Sequence, residues 1–128
     1  MSYFGLVCAR GGSKGIKNKN IIDFNGKPLI YWAIKCGLSI KNINKVLVSS
    51  DSSKIISLSK KYGADVPFVR PKNLSTDNSP EWKSWQHALK YIHKNYDKKI
   101  KGLIIIPSTA PLRKSIEIKK AIKIFEDN

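Results

Sequence analysis

Residues 10–20 combine groups that suit an anion: three glycines, one serine, one arginine and three lysines. Glycines let backbone N–H groups approach an anion closely, and the cations neutralise its charge. The spacing matches neither Gly-x-x-x-x-Gly-Lys-Ser/Thr nor Gly-x-Gly-x-x-Gly, which argues against a P-loop or a dinucleotide-binding motif. The segment therefore predicts a phosphate-binding loop of another kind, in which the backbone of residues 11–15 cradles a triphosphate. Arg10, Lys14 and Lys19 would supply the charge; a basic loop that only connects two elements is the alternative.

The chain has three arginines, Arg10, Arg70 and Arg113, and each follows an apolar run. Because the arginine fork suits phosphates and planar acceptors, we treat all three as candidate ligand contacts. Arg70 could contact a nucleobase or a phosphate. Thr109 and Arg113 lie in a loop with two prolines and could meet the same ligand from another side. A rigid turn is the alternative interpretation of that loop.

Carboxylates and histidines give weaker signals. Asp51 could face a ligand or a metal, but an aspartate in this place more often caps the following helix, and the cap is the favoured interpretation. Asp77 could cap a helix as well, or fix Arg70 electrostatically. His87 and His93 lack ligand-type spacing with cysteines or carboxylates, so we interpret them as core or surface residues.

Apolar periodicity predicts strands and helices in alternation. The strand-like runs are residues 4–8, 45–49, 66–69 and 102–106. Helical patterns begin at Pro28, at Asp51 or Ser52, near Trp82 and at Ser115. The third is the clearest, with one apolar face of Trp82, Trp85, Leu89, Ile92 and Tyr96. The alternation predicts an α/β fold with a parallel sheet, in which ligands bind at the carboxyl ends of the strands. The loops at that edge would be residues 9–20, 49–53, 70–81 and 107–114.

Length and composition bound the class of protein. The 128 residues suit one domain, and 41% of them are hydrophobic, enough to form a core. No apolar run approaches the roughly 20 residues that span a bilayer, so no membrane partner is expected. Two cysteines without ligand spacing favour a reducing, cytoplasmic location. The net charge of +15 comes from lysines spread over almost every segment, which favours a role in solubility over binding to nucleic acid.

Five motifs, taken together and in order, resemble the CMP-sialic acid synthetases, also called acylneuraminate cytidylyltransferases. They are Ala-Arg-Gly-Gly-Ser-Lys-Gly at residues 9–15 with Lys19-Asn20, Val-Ser-Ser-Asp-Ser at 48–52, Arg-Pro-x-x-Leu-x-x-Asp at 70–77, His-Ala-Leu at 87–89, and Thr109 with Pro-Leu-Arg at 111–113. Their order and spacing agree over nearly the whole chain. The resemblance implies a Rossmann-like nucleotidyltransferase fold, with a mostly parallel sheet flanked by helices.

The resemblance also implies a reaction. The anomeric hydroxyl of a nine-carbon 2-keto acid sugar would attack the α-phosphate of CTP, with Mg²⁺ assisting, to give a CMP-sugar and pyrophosphate. By position, Arg10 and Lys19 would be catalytic, and Thr109 and Arg113 would bind the sugar. The nucleotide-binding set would be Arg10, Gly11, Gly12, Ser13, Lys14, Lys19, Asn20 and Arg70.

The chain departs from the family pattern at three positions. Pro107 stands where the family usually has Gln, Ala110 replaces the following Ser, and Glu81 lies near a position where a small hydroxyl residue is common. Members of the family are longer, so we expect residues 1–128 to be the nucleotide-binding portion of a cytidylyltransferase domain without its C-terminal part. The family's metal-binding Asp pair, much of its sugar pocket and its dimerisation element belong to that part. The metal ligands are therefore not identified, and a homodimer is compatible with the pattern.

Two alternatives stay open. A related nucleotidyltransferase would act on another acid sugar, such as 3-deoxy-manno-octulosonate. A non-catalytic basic module would bind polyanions with a strong dependence on salt. The scattered lysines disfavour the second alternative.

Overall fold

A computed structural model describes residues 2–11, 23–76, 78–96 and 100–107 of the chain. In chain order the elements are β1 (Ser2–Cys8), β2 (Asp23–Phe24), β3 (Lys27–Pro28), α1 (Leu29–Leu38), β4 (Ile43–Ser49), α2 (Ser53–Lys61), a short 3-10 helix (Lys72–Leu74), α3 (Glu81–Asn95) and β5 (Ile100–Ile105). The predicted strands at residues 4–8, 45–49 and 102–106 and the first three predicted helices are present. The predicted fourth helix, from Ser115, lies outside the described residues.

Strand β1 forms the centre of a parallel sheet, between β4 on one side and β5 on the other. The chain therefore moves from β1 to one neighbour first, and later returns to the opposite side of β1. At such a reversal of strand order, the loops that leave the carboxyl ends diverge and open a crevice where ligands bind. Residues 9–11, where the predicted phosphate loop begins, follow β1 at this edge.

The side chains of β1 alternate between two cores, one on each face of the sheet. Tyr3 and Val7 join a core with apolar residues of α1 and α2. Phe4 and Leu6 join a second core with apolar residues of α3. Helices thus cover both faces of the sheet, as the predicted α/β class requires.

Helix α1 packs against the sheet at Gly37. A Cβ atom on this residue would lie 2.7 Å from Val46 Cγ2 and 2.8 Å from Ile106 Cδ1. These distances are shorter than carbon atoms in contact tolerate, so any side chain here would force the helix or the sheet to move. Glycine therefore sets how closely α1 approaches the sheet.

Helix α2 has a defined start and a defined end. The Ser52 hydroxyl accepts the backbone N–H of Ile55 at 3.3 Å, which makes Ser52 the N-cap. Gly63 has a φ of 99°, and the N–H groups of Gly63 and Ala64 return to carbonyls of the last turn, as in a Schellman motif. The interpretation of Asp51 as the cap is wrong, because its carboxylate accepts an N–H group from the loop after β1 instead.

The predicted strand at residues 66–69 is absent. Asp65 alone pairs with β4, through an isolated bridge to Leu47. Pro67 has no N–H to donate, so it cannot continue a ladder. Val66 and Phe68 are partly buried and pack against the two cores, whereas Val69 is 62% exposed, so the run contributes to packing without forming a strand.

A β-hairpin before α1 was not predicted. Asn25 and Gly26, with φ of 51° and 87°, form the turn between β2 and β3. Asn-Gly is a strong hairpin signal because both residues tolerate positive φ, so the sequence did contain the information. Trp32 Nε1 donates to the Phe24 carbonyl at 2.8 Å and ties the hairpin to α1.

The buried face of α3 differs from the predicted one. Ser84, Ala88 and Ile92 are the buried residues of this helix, and their spacing of four places them on one line. Trp82 lies two positions before Ser84, on roughly the opposite side, and is 49% exposed. The prediction that Trp82 packs in the core is therefore wrong. Trp85 is half-buried and packs against the second core, the one that contains Phe4 and Leu6.

Candidate functional site

Two hydrogen bonds join the segment after β1 to the residues at the end of β4. The N–H of Ala9 donates to the Ser49 carbonyl at 2.9 Å. The N–H of Gly11 donates to Asp51 Oδ1 at 2.8 Å. The first residues of the predicted phosphate loop are thus held against the carboxyl end of β4, at the edge of the sheet where a ligand is expected.

Gly11 is seated closely on the start of α2. A Cβ atom at residue 11 would lie 2.9 Å from Ser52 Cβ and 3.7 Å from Asp51 Oδ1. Because real Cβ atoms do not approach other carbons that closely, even alanine would push the segment away from α2. The glycine predicted for close approach to an anion is therefore also needed for close approach to the protein.

Arg70 is a buried cation, with only 5% of its surface exposed. Its Nε donates to Ser49 Oγ at 3.0 Å and its Nη2 donates to the Ser49 carbonyl at 2.9 Å. Its backbone N–H donates to the Ser50 carbonyl at 2.8 Å. Arg70 thereby joins the residues after Asp65 to the end of β4, in place of the predicted strand.

The charge of Arg70 is balanced by its neighbours. Burial is the main effect and lowers its pKa, because a low-dielectric environment disfavours the charged form. The carboxylates of Asp51 and Glu81 favour the charged form, and the positive charge of Arg10 opposes it; Cys8 favours it only when its thiol is ionised. A guanidinium stays protonated in proteins, so the site contains a fixed positive charge. These interactions bring Arg10 and Arg70, two of the predicted ligand contacts, into one electrostatic neighbourhood.

Cys8 is the last residue of β1 and lies on the α3 side of the sheet. Burial raises the pKa of its thiol to about 12, with a smaller increase from Glu81, although Arg70 acts in the opposite direction through its charge and a hydrogen bond. Since the thiolate is the nucleophilic form of cysteine, Cys8 is not a nucleophile near neutral pH.

Helix α3 presents three buried polar atoms that have no hydrogen-bond partner in the part of the chain that the structure describes. They are Ser84 Oγ, Trp85 Nε1 and His87 Nδ1. Buried polar groups are normally paired, so each is open to a water molecule or to a residue outside the described ranges. These polar groups were not among the predicted site residues, and no spacing rule for the sequence would have selected them.

His87 packs edge-on against Phe68, with ring centroids 4.7 Å apart. Burial lowers the pKa of this imidazole, and the positive charges of Arg70 and Lys90 lower it further. A neutral, packed histidine agrees with the predicted structural role. His93 is exposed on the last turn of α3, which also agrees with the prediction.

The structure tests the placement of part of the predicted site. Arg10 and Gly11 follow β1, and Arg70 binds the end of β4 beside them. The other predicted residues lie outside the described ranges: Gly12, Ser13, Lys14, Lys19, Asn20, Thr109 and Arg113, together with Asp77. Ser49 and Ser50, which bind Arg70, belong to the Val-Ser-Ser-Asp-Ser motif and were not among the predicted site residues. Their full burial has no sequence signal, because serine is usually exposed.

No group of three His, Cys, Asp or Glu side chains within the described ranges could hold a metal ion. Among the carboxylates near the site, Asp51 is already bound to the N–H of Gly11. The described residues therefore identify no ligand set for the Mg²⁺ that the resemblance implies. None of the helices in these ranges is long and apolar enough to cross a membrane.

A sequence model of the cytidylyltransferase family matches residues 4–128. The chain belongs to the cytidylyltransferase family. It is similar to the pseudaminic acid cytidylyltransferase of Campylobacter jejuni, with 39% identity over 131 residues that cover 100% of this chain and 55% of the relative. It is also similar to the N-acylneuraminate cytidylyltransferase of Escherichia coli, with 33% identity over 121 residues, 94% of this chain and 27% of the relative.

Among solved structures, CMP:2-keto-3-deoxy-manno-octonic acid synthetase complexed with CTP is similar to this cytidylyltransferase-family chain, with a TM-score of 0.79. The match covers 100% of this chain and 48% of that structure at 17% identity, so it shows the fold alone. The Rossmann-like nucleotidyltransferase fold and the family resemblance predicted from the motifs are both confirmed. The chain spans about half the length of the Campylobacter relative, 55%.

Proposed function

We propose that this chain is the nucleotide-binding part of an enzyme that transfers CMP from CTP to a nine-carbon 2-keto acid sugar. One observation carries the proposal. The end of β4 gathers the start of the glycine-rich segment and the buried Arg70 at one edge of a parallel sheet. Backbone N–H groups, glycines and fixed positive charge at such an edge suit a nucleotide phosphate chain.

The proposed reaction forms a bond between the anomeric oxygen of the sugar and the α-phosphorus of CTP. The bond between the α-phosphorus and the bridging oxygen breaks, pyrophosphate leaves, and the hydroxyl proton is released. Negative charge spreads over the phosphate oxygens as this happens, so positioning and neutralisation do most of the catalytic work. We assign neutralisation to Arg10 and Lys19, and contact with the cytidine to Arg70. Mg²⁺ would add to the neutralisation, and no step here depends on where it binds.

The sugar class is proposed from the names of the relatives. They act on pseudaminic acid and on N-acylneuraminate by name, and both compounds are nine-carbon acids with the carboxylate beside the anomeric carbon. We assign Thr109 and Arg113 to contact with this acid sugar. The location we propose is the cytoplasm, since the thiols Cys8 and Cys36 are not joined in a disulfide.

The binding step is tested by thermal unfolding with and without millimolar CTP. We expect CTP to raise the melting temperature, and Arg10→Ala and Lys19→Ala to weaken binding because each removes a charged phosphate contact worth about 1.5–3 kcal/mol. Lys94→Ala is the matched control, since Lys94 is exposed at the far end of α3. A melting temperature that CTP leaves unchanged would refute the binding claim.

The sugar is tested by pyrophosphate release with CTP and a panel of keto-acid sugars. Nine-carbon sugars should support more release than 3-deoxy-manno-octulosonate, and a preference for the eight-carbon sugar would overturn the proposed substrate class. We expect the 128-residue chain to bind CTP more readily than it turns substrate over. Robust synthesis of a CMP-sugar by the chain alone would contradict that expectation.

A further inference from the structure

Asp51 holds the start of the segment after β1 through a well-formed hydrogen bond. Its Oδ1 accepts the N–H of Gly11 at 2.8 Å, across 40 positions of sequence. The cap of the adjacent helix does not need this carboxylate, because Ser52 supplies the cap. Within the described ranges, the Asp51 side chain therefore contributes a hydrogen bond to Gly11, besides its charge near Arg70.

The sign of the Asp51 charge makes this contact informative. A carboxylate beside a site for a triphosphate opposes binding of that anion by repulsion. The positive charge of Arg70, whose charged form Asp51 favours, acts against this repulsion. The benefit of Asp51 to nucleotide binding that does not depend on its charge comes through the N–H group that it holds.

We infer that Asp51 is a positioning residue for nucleotide binding, which fixes Gly11 against the end of β4 before the nucleotide arrives. The inference rests on the proposed function, because it assigns the role of Asp51 in that same site. The close fit of Gly11 on Ser52 supports it, since the hydrogen bond and the short approach act on the same residue. A segment already fixed in place costs less conformational entropy when a ligand binds.

Substitutions at Asp51 separate the hydrogen bond from the charge. Asp51→Asn keeps an oxygen that can accept the Gly11 N–H but removes the negative charge, whereas Asp51→Ala removes both. Asp65→Ala is the matched control, because Asp65 is a half-exposed carboxylate paired with Lys45 at 3.2 Å on the surface. CTP dissociation constants are measured by calorimetry at a temperature where every variant is folded.

We expect Asp51→Ala to bind CTP about tenfold to a hundredfold more weakly, the range for losing a hydrogen bond to a charged group. Asp51→Asn should bind as tightly as the unmodified chain or more tightly, because the repulsion is gone and the acceptor remains. Asp65→Ala should be unchanged. If Asp51→Ala binds as well as the unmodified chain, or Asp51→Asn is as weak as Asp51→Ala, the inference is overturned.

A measurement without nucleotide keeps this inference separate from the proposed function. The amide proton resonance of Gly11 should move upfield in Asp51→Ala and move less in Asp51→Asn, since a hydrogen bond to a carboxylate deshields the amide proton. A Gly11 resonance that neither substitution moves would overturn the inference. A moved resonance in a chain that binds no CTP would instead confirm the contact and refute the proposed function.

Discussion

Removing the Arg70 side chain should destabilise the fold by an amount that its contacts allow us to work out. Arg70→Ala deletes the bond from Nε to Ser49 Oγ and the bond from Nη2 to the Ser49 carbonyl. Both acceptors belong to a fully buried residue. The carbonyl keeps the N–H of Ala9 as a partner, so the hydroxyl is the group left with the larger loss.

Each hydrogen bond to a charged group contributes about 1.5–3 kcal/mol. Removing a buried cation returns part of this, because the cost of its desolvation disappears too. We therefore expect Arg70→Ala to lower the free energy of unfolding by about 2–4 kcal/mol. This is a large share of the roughly 5–15 kcal/mol that is typical of a domain. Arg70→Lys should lose most of the same amount, because one ammonium cannot reproduce two contacts from two nitrogens of a planar fork.

The assay is a double-mutant cycle, in which urea unfolding is measured for the unmodified chain, Arg70→Ala, Ser49→Ala and the double variant. Ser49→Ala alone should cost about 1.5–3 kcal/mol, because it removes the bond from Arg70 Nε and keeps the bond from Nη2 to the Ser49 carbonyl. The pair Arg70→Ala and Ser49→Ala should then cost less than the sum of the single effects, because both remove the same bond. Lys94→Ala serves as the exposed control. An Arg70→Ala effect below about 1 kcal/mol, or fully additive effects, would refute this account of how Arg70 holds the end of β4.

Three further predictions concern the packing and titration of single residues. Gly37→Ala should lower the free energy of unfolding by about 1–3 kcal/mol despite the better helix propensity of alanine, because its Cβ would meet Val46 at 2.7 Å. Thermal unfolding of Gly37→Ala with and without Val46→Ala checks this, and a Gly37→Ala chain more stable than the unmodified one would contradict it. Cys8, with a thiol pKa of about 12, should react with iodoacetamide at pH 7.5 on the order of a thousandfold more slowly than a free thiol; peptide mass spectrometry measures the rate, and rapid labelling would show that the thiol is accessible and ionised. The lowered pKa of His87 means that the unfolded chain binds its proton more readily, so the contribution of His87 to stability is complete above about pH 6.5 and is lost as the pH falls below that value. Urea unfolding at pH 5.5 and 7.5 should show a smaller loss in His87→Gln, and an identical loss in both chains would argue against this.

Local signals were sufficient for the main elements of the fold. The apolar run of β1 predicts a strand, and the periodicity of α1 and of α3 predicts a helix, each from about ten neighbouring residues. The alternation of these elements then predicts a parallel sheet. Asn25-Gly26 carried an equally local signal for the hairpin. What the periodicity of α3 could not give was which side of the helix meets the sheet, since Trp82 has the hydrophobicity of a core residue and an exposed position.

The site depended on contacts between distant residues, and these were not predictable in the same way. Asp51 and Ser52 are both good caps by residue type, and the choice between them depends on Gly11, which lies 40 positions from Asp51. Arg70 is a plausible ligand contact by residue type. Its burial against Ser49 depends on the path that the chain takes beside β4 after the bridge at Asp65. The sequence could therefore predict which loops meet and which of them hold charge, but not which residues hold the others in place.

These holding contacts explain why acidic groups lie in a site proposed to bind an acidic ligand. The chain has 24 basic and 9 acidic residues, yet Asp51 and Glu81 both act on the buried Arg70. A buried guanidinium is stable only with nearby acceptors or opposite charge, and here Ser49 supplies the acceptors while the two carboxylates favour its charged form. Asp51 also fixes Gly11, so one carboxylate stabilises the cation at β4 and orders the segment after β1. The negative charge of these carboxylates weakens the local attraction for phosphate. The same carboxylates keep the cation and the N–H groups in place before CTP binds. Electrostatic stabilisation is most effective when the stabilising groups are already in place.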